Sequence, residues 1–393
     1  MVPTRFVSTF ETLLLERLPD VGPATVRRLI DRFGTAERAL VCPERDFAAV
    51  AGLRAARARR SLELRAAVAD TLAQVAARGI GVMTWDDDAY PARLLHLADP
   101  PPTLFLAGRV ELAAQRPVVT IIGARRSTER ARMVAERLGA ALSRRGVAVA
   151  SGLALGVDGA AHAGALRAGG GTIAVLGAGV DVPYPRAHRR LHEQIAAVGL
   201  LVSEFVPGTR AAPHHFPRRN RLLAALSEIT VVVEAGVKSG SLITVDHALD
   251  LGREVWVVPG PIDAAVSKGS NRLLVDGARP LVSIDDFVRH VLEAFPVRGG
   301  SDGVGAASPG SPRRASRVGG DPRQGSLFEG RSDRRESWLE RAVLAALGDG
   351  PVLADELAAR FDVPAATILA LLTTLELHGE VERLAGMRYR RAA

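Results

Sequence analysis

The sequence predicts an α/β protein: a doubly wound, mainly parallel sheet, preceded by an all-α domain and followed by a winged helix. Three observations carry this. Short apolar runs alternate with helical segments from about Gly81 to Phe295. Those runs are continuous rather than alternating, as in strands buried on both faces. A segment poor in apolar side chains then separates this stretch from a final helical and β-hairpin pattern.

Residues 1–78 read as a helix–hairpin–helix, or SAM-like, domain. In "LPDVGPATVRRLIDRFGTAERAL" (Leu18–Leu40), Gly22 permits a tight hairpin, and Val26, Leu29, Ile30 and Phe33 form one apolar face. "VAGLRAARARRSLELR" reads as a weaker second copy around Gly52. Such hairpins present backbone amides to phosphates without reading sequence, or they serve as packing modules. Both readings stay open here.

Residues 79–296 form the α/β domain. Its expected strands are Val118–Ala124, Val147–Gly152, Thr172–Gly179, Leu200–Phe205, Ile229–Gly236 and Glu254–Gly260, with amphipathic helices between them, as in "ERARMVAERLGAALSRRG". Most of these runs end in glycine or a small residue. In open α/β sheets ligands sit at the carboxyl ends of the strands, so the loops there are the candidates for function.

Residues 297–335 read as a linker: 18 of the 39 are Gly, Pro or Ser, and eight arginines stand against four acids. Such a segment cannot bury enough surface to offset its ordering entropy. Residues 336–393 read as a winged helix. One helix ends near Leu347, Ala354–Arg360 and Ala365–His378 form a helix–turn–helix, and "VERLAGMRYRR" makes a wing around Gly386. The second helix of that pair has no Arg, Asn or Gln with which to read bases. Protein contact, or weak backbone contact through Arg388, Arg390 and Arg391, is therefore expected over sequence reading.

The formal net charge is +8 and the isoelectric point about 10.6, which favours a polyanionic partner. Of 51 basic residues only Lys238 and Lys268 are lysine, and both lie in Gly/Ser loops. A single cysteine, Cys42, excludes an internal disulfide framework and a Cys-based zinc site. The first residues lack a signal-peptide pattern, and no apolar run is long enough to span a bilayer. A cytoplasmic location without membrane, metal or cofactor is expected.

Four strand-end loops carry anion-binding chemistry. "GARRST" offers Gly123 for a tight turn, Arg125, and the amides of a helix starting near Ser127 or Thr128. Arginines replace the further glycines of a dinucleotide fingerprint, which argues against NAD. "FPRRNR" places Arg218, Arg219, Asn220 and Arg221 at a helix start. "GVKSGS" offers Lys238, Ser239, Gly240 and Ser241 before a helix over roughly Leu242–Leu251. The Walker spacing is absent because Lys238 precedes the second glycine, so NTP hydrolysis is disfavoured. "SKGSN" adds Lys268, Ser270 and Asn271 at another helix start. Asp158 and His162, four residues apart on one helix face, would be an acid–base pair in a hydrolase, but they read better as a structural pair in which Asp158 caps or orients His162 and supports its loop. No nucleophile or metal set accompanies them. So many anion-binding loops suit a single strand crossing the rim better than one small nucleotide.

In order, "IIGAR", "SGLALGVDGAAHAGAL", "TIAVLGAGVDVPYP", "SEFVPGT", "FPRRNR", "VVVEAGVKSGSLIT", "EVWVVPG" and "SKGSN" resemble the DNA-processing protein A family (DprA, also called Smf), over about Gly81 to Leu281. The resemblance implies a Rossmann-like domain that binds single-stranded DNA, dimerises, and helps load RecA recombinase on incoming strands in natural transformation, without catalysis. It implies a phosphate pocket of Gly123, Ala124 and Arg125, the "FPRRNR" arginines and Lys238–Ser241, with Arg186 of "YPR" where many members carry lysine. Ala124 stands where many carry a hydroxyl. The alternative on the same fold is a nucleotide phosphoribohydrolase of the LOG type. That group's "PGGxGTxxE" loop has a catalytic glutamate that "EAGVKSGSLITVD" lacks. A sequence-specific repressor acting through the winged helix is a third reading.

Overall fold

The structure is a computed structural model. It describes residues 4–297 and, further on, 343–344, 346–347, 352–361, 368, 371–372, 375–376, 381–384 and 388–391. The chain divides into two compact units, Met1–Asp302 and Gly303–Ala393. The expected linker from residue 298 onward lies outside the described residues, as does most of the helix expected at 365–378.

Five helices open the first unit: α1 Thr4–Glu16, α2 Pro23–Phe33, α3 Ala36–Val41, α4 Glu44–Ala58 and α5 Leu62–Ala77. Gly22 caps α2, and Pro23 supplies a pre-set φ at its first position. Val26 and Leu29 are fully buried, with Ile30 and Phe33 packed around them. The second hairpin is also present. Gly52, at φ 85° and ψ 158°, breaks α4, a conformation that L residues rarely adopt.

All six expected strands form: β3 Val118–Ile122, β4 Ala148–Ser151, β5 Thr172–Val175, β6 Leu200–Ser203, β7 Ile229–Val232 and β8 Glu254–Val257. Three more were not expected, β1 Gly81–Thr84, β2 Thr103–Gly108 and β9 Arg279–Pro280. The sheet order is β1-β2-β6-β5-β4-β3-β7-β8-β9. Strands β6 through β9 in that order are parallel, and β1 and β2 close one edge antiparallel. Every residue of β3 to β7 is buried, which is why their sequences read as unbroken apolar runs.

The helices between them are α6 Glu129–Arg144, α7 Val157–Arg167, α8 Arg189–Val198, α9 His215–Leu226, α10 Leu242–Asp250, α11 Lys268–Val275 and α12 Ile284–Ala294. Strand pleating sends Val118 and Ile122 into one core with Leu222 and Leu226 of α9. It sends Val119 and Ile121 into another with Leu138 of α6 and Phe287 of α12. A third cluster joins Leu13 and Leu14 of α1 and Val68 and Val75 of α5 to Phe105 and Leu201. The helical segment therefore shares a core with the sheet.

After β3 the chain builds outward through β4, β5 and β6, then returns to place β7 on the other side of β3. The loops after β3 and β7 thus flank the point where strand order reverses, the usual ligand crevice of such sheets.

In the second unit, β10 Val352–Leu353, β11 Val381–Leu384 and β12 Arg388–Arg391 form a sheet in the order β10-β12-β11. Leu357, Ile368, Leu372 and Leu375 pack with Tyr389. The wing is as expected, with a short third strand added by β10. No helix among the described residues is long and apolar enough to cross a membrane.

Candidate nucleic-acid interface

The loops after β3, β4 and β7 and the start of α9 enclose a cleft of about 830 Å³. Gly123 begins it. A Cβ there would lie 2.6 Å from the Val157 side chain and 2.9 Å from the Glu234 carbonyl oxygen, so only glycine lets the loops close up. The Ala124 amide donates to that same Glu234 oxygen at 2.7 Å, tying the two strand-end loops together. Gly156, at φ 81°, performs the same service for the loop after β4: a Cβ there would meet the carbonyl oxygens of Ala124 and Arg125. Arg125 is exposed, and its guanidinium lies 4.9 Å from the centre of the Phe216 ring. Tyr184 lies 5.5 Å from the same ring.

Lys238 is exposed at the cleft wall, on a turn closed by Ser239 N donating to Gly236 O at 3.0 Å. The hydroxyls of Ser239 and Ser241 share a hydrogen bond of 2.7 Å, and α10 starts at Leu242 without a side-chain cap. Asn220 donates to Gly240 O at 3.2 Å and so fastens the lysine loop to α9.

Several expected contributors are placed otherwise. Four consecutive helical residues point in four directions, about 100° apart, so "FPRRNR" cannot present one battery of arginines. Arg218 and Arg221 both pair with Glu204, at 2.9 and 2.8 Å, and Arg221 also reaches Asp99 at 3.1 Å. The Glu204 side chain is only 2% exposed, so these charges are internally neutralised. Neither lines the cleft. Arg219 does, but as an interior group. It is 4% exposed, it donates to Val175 O, and its guanidinium fills the space above Gly152. Burial lowers its pKa to about 10, opposed by the charge of Asp158.

Asp158 accepts from the amides of Gly152 and Ala154 at 3.1 and 3.3 Å. It supports its loop, as expected, but it does not orient His162. That imidazole instead meets Thr172 Oγ1 at 2.7 Å. The Thr172 hydroxyl donates to Val149 O, so it accepts from His162 Nδ1–H. The sequence spacing put Asp158 and His162 on one helix face, but both are buried, and burial assigned them separate backbone and hydroxyl partners.

The start of α6 is not an open anion site either. The Glu234 carboxylate accepts from the Thr128 amide and hydroxyl, both at 2.8 Å, and so already occupies it. Asn271 exchanges two hydrogen bonds of 3.0 Å with the backbone of Gly260 and serves the β8 loop. Arg186 and Lys268 are exposed but do not line the cleft.

The sequence reading missed Phe216 and the ring of Tyr184, and with them Arg126, which also lines the cleft. A signal was available. Aromatic residues make up only 4% of the chain, and two of them fall beside the basic strand-end motifs. A model of the family described as DNA recombination-mediator protein A matches residues 81–292.

The chain belongs to the DprA/Smf family.

Two further models of that family match at its flanks, the DprA-like N-terminal HHH domain at residues 8–62 and the DprA winged helix domain at 330–387. The chain is 37% identical over 330 residues to a putative DNA processing protein DprA of Mycobacterium tuberculosis, covering 80% of this chain and 78% of that one. It is 40% identical over 202 residues to the DprA of Streptococcus pneumoniae, covering 51% and 71%. The crystal structure of that pneumococcal DprA superposes with a TM-score of 0.64 at 31% identity, covering 72% of this chain and 98% of that one. The DprA of Helicobacter pylori, described for its single-stranded DNA binding mode, superposes with a TM-score of 0.50 at 30% identity, covering 55% and 97%. The chain is thus a DNA-processing protein of the DprA type.

Proposed function

We propose that the cleft binds single-stranded DNA and that the chain acts as a mediator, helping RecA load on incoming strands in transformation and recombination, as a cytoplasmic homodimer without catalysis of its own. The observation that carries this is the pairing of free cations with aromatic faces. Arg125 and Lys238 have no carboxylate partner among the described residues and border a cleft that also holds Phe216 and Tyr184. Single strands offer phosphates and unstacked bases together, and this combination suits both. Duplex DNA hides its base faces. The binding described for the Helicobacter pylori relative supports the same reading.

A nucleotide-cleaving reading has less to stand on. Asp158 and Glu234 spend carboxylate oxygens on backbone amides and the Thr128 hydroxyl. Burial further raises the Asp158 pKa against the charge of Arg219. Incubation with nucleoside monophosphates is expected to release no base.

Arg125→Ala and Lys238→Ala are each expected to weaken binding of single strands of any sequence about tenfold, the worth of one charge-assisted contact of ~1.5 kcal/mol. Each lost phosphate contact lowers the salt slope by about 0.7. Fluorescence anisotropy across a salt series measures both quantities. Wild-type affinity and slope in both variants would sink the assignment. RecA assembly on single strands, followed with and without the protein, tests the mediator role.

A further inference from the structure

Helix α6 carries Arg130, Arg137 and Arg144 at seven-residue spacing. Two turns separate successive members, so the three guanidiniums project from one side of the helix. All three are exposed. None has a carboxylate partner among the described residues, whereas their neighbours Arg132 and Arg167 pair with Glu129 and Glu136. Between the arginines, on the same side, stand Val134 and Ala141. The facing wall comes from Val258 and Pro259 after β8 and from Leu281 and Ile284 at the start of α12. Together they line a groove of about 830 Å³. Asp285 also borders it, and Glu136 is there already paired with Arg167. Beyond Arg144 the groove passes into a second hollow that adds Arg145, Leu292, Glu293 and Arg289, the last already paired with Asp286.

The groove is joined to the cleft. A hollow lined by Thr128, Arg130, Val134, Val258, Pro259 and Val266 lies between them. It shares Arg130, Val134, Val258 and Pro259 with the groove and Val266 with the cleft. One ligand can therefore run from the strand-end rim along α6 without leaving the surface. From Arg130 to Arg144 that path is about 21 Å long.

We infer that the α6 groove is a second binding stretch for the same single strand. The strand leaves the cleft over Val266 and Pro259 and lays its phosphates against Arg130, Arg137 and Arg144. Its sugars and base faces rest on Val134, Ala141 and the exposed Val282. This rests on the reading of the cleft given above. Continuity favours a nucleic acid over an acidic protein segment, because a strand held in the cleft is delivered to the groove at high effective concentration. The row of uncompensated guanidiniums supplies what a polyanion neutralises.

The test uses the full chain and two oligothymidylates, one of about 5 nucleotides that fills the cleft and one of about 20 that reaches past it. Arg137 and Arg144 are exposed, so the double variant Arg137→Ala/Arg144→Ala keeps its fold, checked by circular dichroism. It is expected to bind the short probe as wild type does. The long probe is expected to bind roughly tenfold more weakly, with a salt slope lower by about 1.4. The double variant Arg137→Lys/Arg144→Lys, which keeps the charge, is expected to retain the slope. Wild-type binding of both probes by the alanine variant overturns the inference. So does loss of poly-glutamate binding with long-probe binding intact, which would assign the groove to an acidic protein segment. Failure of the cleft reading shows up separately, as short-probe binding that Arg125→Ala leaves unchanged.

Discussion

His162 shows how one buried residue sets a pH response without taking part in chemistry. It is fully buried, its Nδ1 donates to Thr172, and its Nε2 has no hydrogen-bond partner. Burial, with His188 and then Arg219 adding repulsion, pushes its pKa down to about 3 from the ordinary 6.5. The unfolded chain therefore takes up a proton before the folded chain does. The stability held by neutral His162 is complete above about pH 6.5 and is lost as the pH falls toward 3. Over that window the loss approaches about 1.4 kcal/mol per pH unit. His162→Asn keeps a donor toward Thr172 and removes the titration. Urea unfolding at a series of pH values should show a flatter acid limb in the variant, and an unchanged limb would contradict the argument.

At the scale of an element, α9 does two jobs with one basic run. Its buried side, Leu222 to Leu226, packs on the sheet. Its first turns distribute four polar residues by helix geometry. Arg218 and Arg221 go to Glu204, Arg219 to the floor of the cleft, and Asn220 to the lysine loop. Arg221→Ala is therefore expected to act on stability rather than on binding. It leaves Glu204, 2% exposed, with one guanidinium instead of two, a loss on the order of 3 kcal/mol for a buried pair. The midpoint of denaturation should fall while the folded fraction still binds single strands. Loss of binding at full stability would instead place Arg221 on the DNA. The charges that matter for a ligand are the ones the fold leaves unpaired, and the sequence does not mark them.

For the molecule as a whole, the N-terminal helices are part of the sheet's cover. Leu13 and Leu14 of α1 and Val68 and Val75 of α5 share an apolar cluster with Phe105 of β2 and Leu201 of β6. Deleting residues 1–78 uncovers that cluster. The truncated protein is expected to melt lower and to bind a hydrophobic dye in its folded state. A truncated chain as stable as the full one would show the helices to be an independent appendage.

Much of this was legible in the residues. The runs at Val118, Val147, Thr172, Leu200, Ile229 and Glu254 announced a buried parallel sheet, because a strand covered on both faces has no polar alternate positions. The Gly/Ser loop around Lys238, the "GAR" turn and the order of motifs announced the family and the end of the sheet that carries the candidate cleft. Strands β1, β2 and β9 were not announced. β1 and β9 are the edge strands and β9 is only two residues long, while β2 lies between β1 and β6 in the antiparallel part of the sheet. The pairing of β2 with β6 comes from a neighbour distant in sequence. The sequence by itself determined the composition of the rim: which anion-binding residues follow which strands. Only the tertiary structure decided which of them remain available. Glu204 and Glu234 reach Arg218, Arg221 and the start of α6 across gaps of 14, 17 and 106 residues. Long-range pairing of that kind follows from how the strands are ordered and packed, and no local pattern records it.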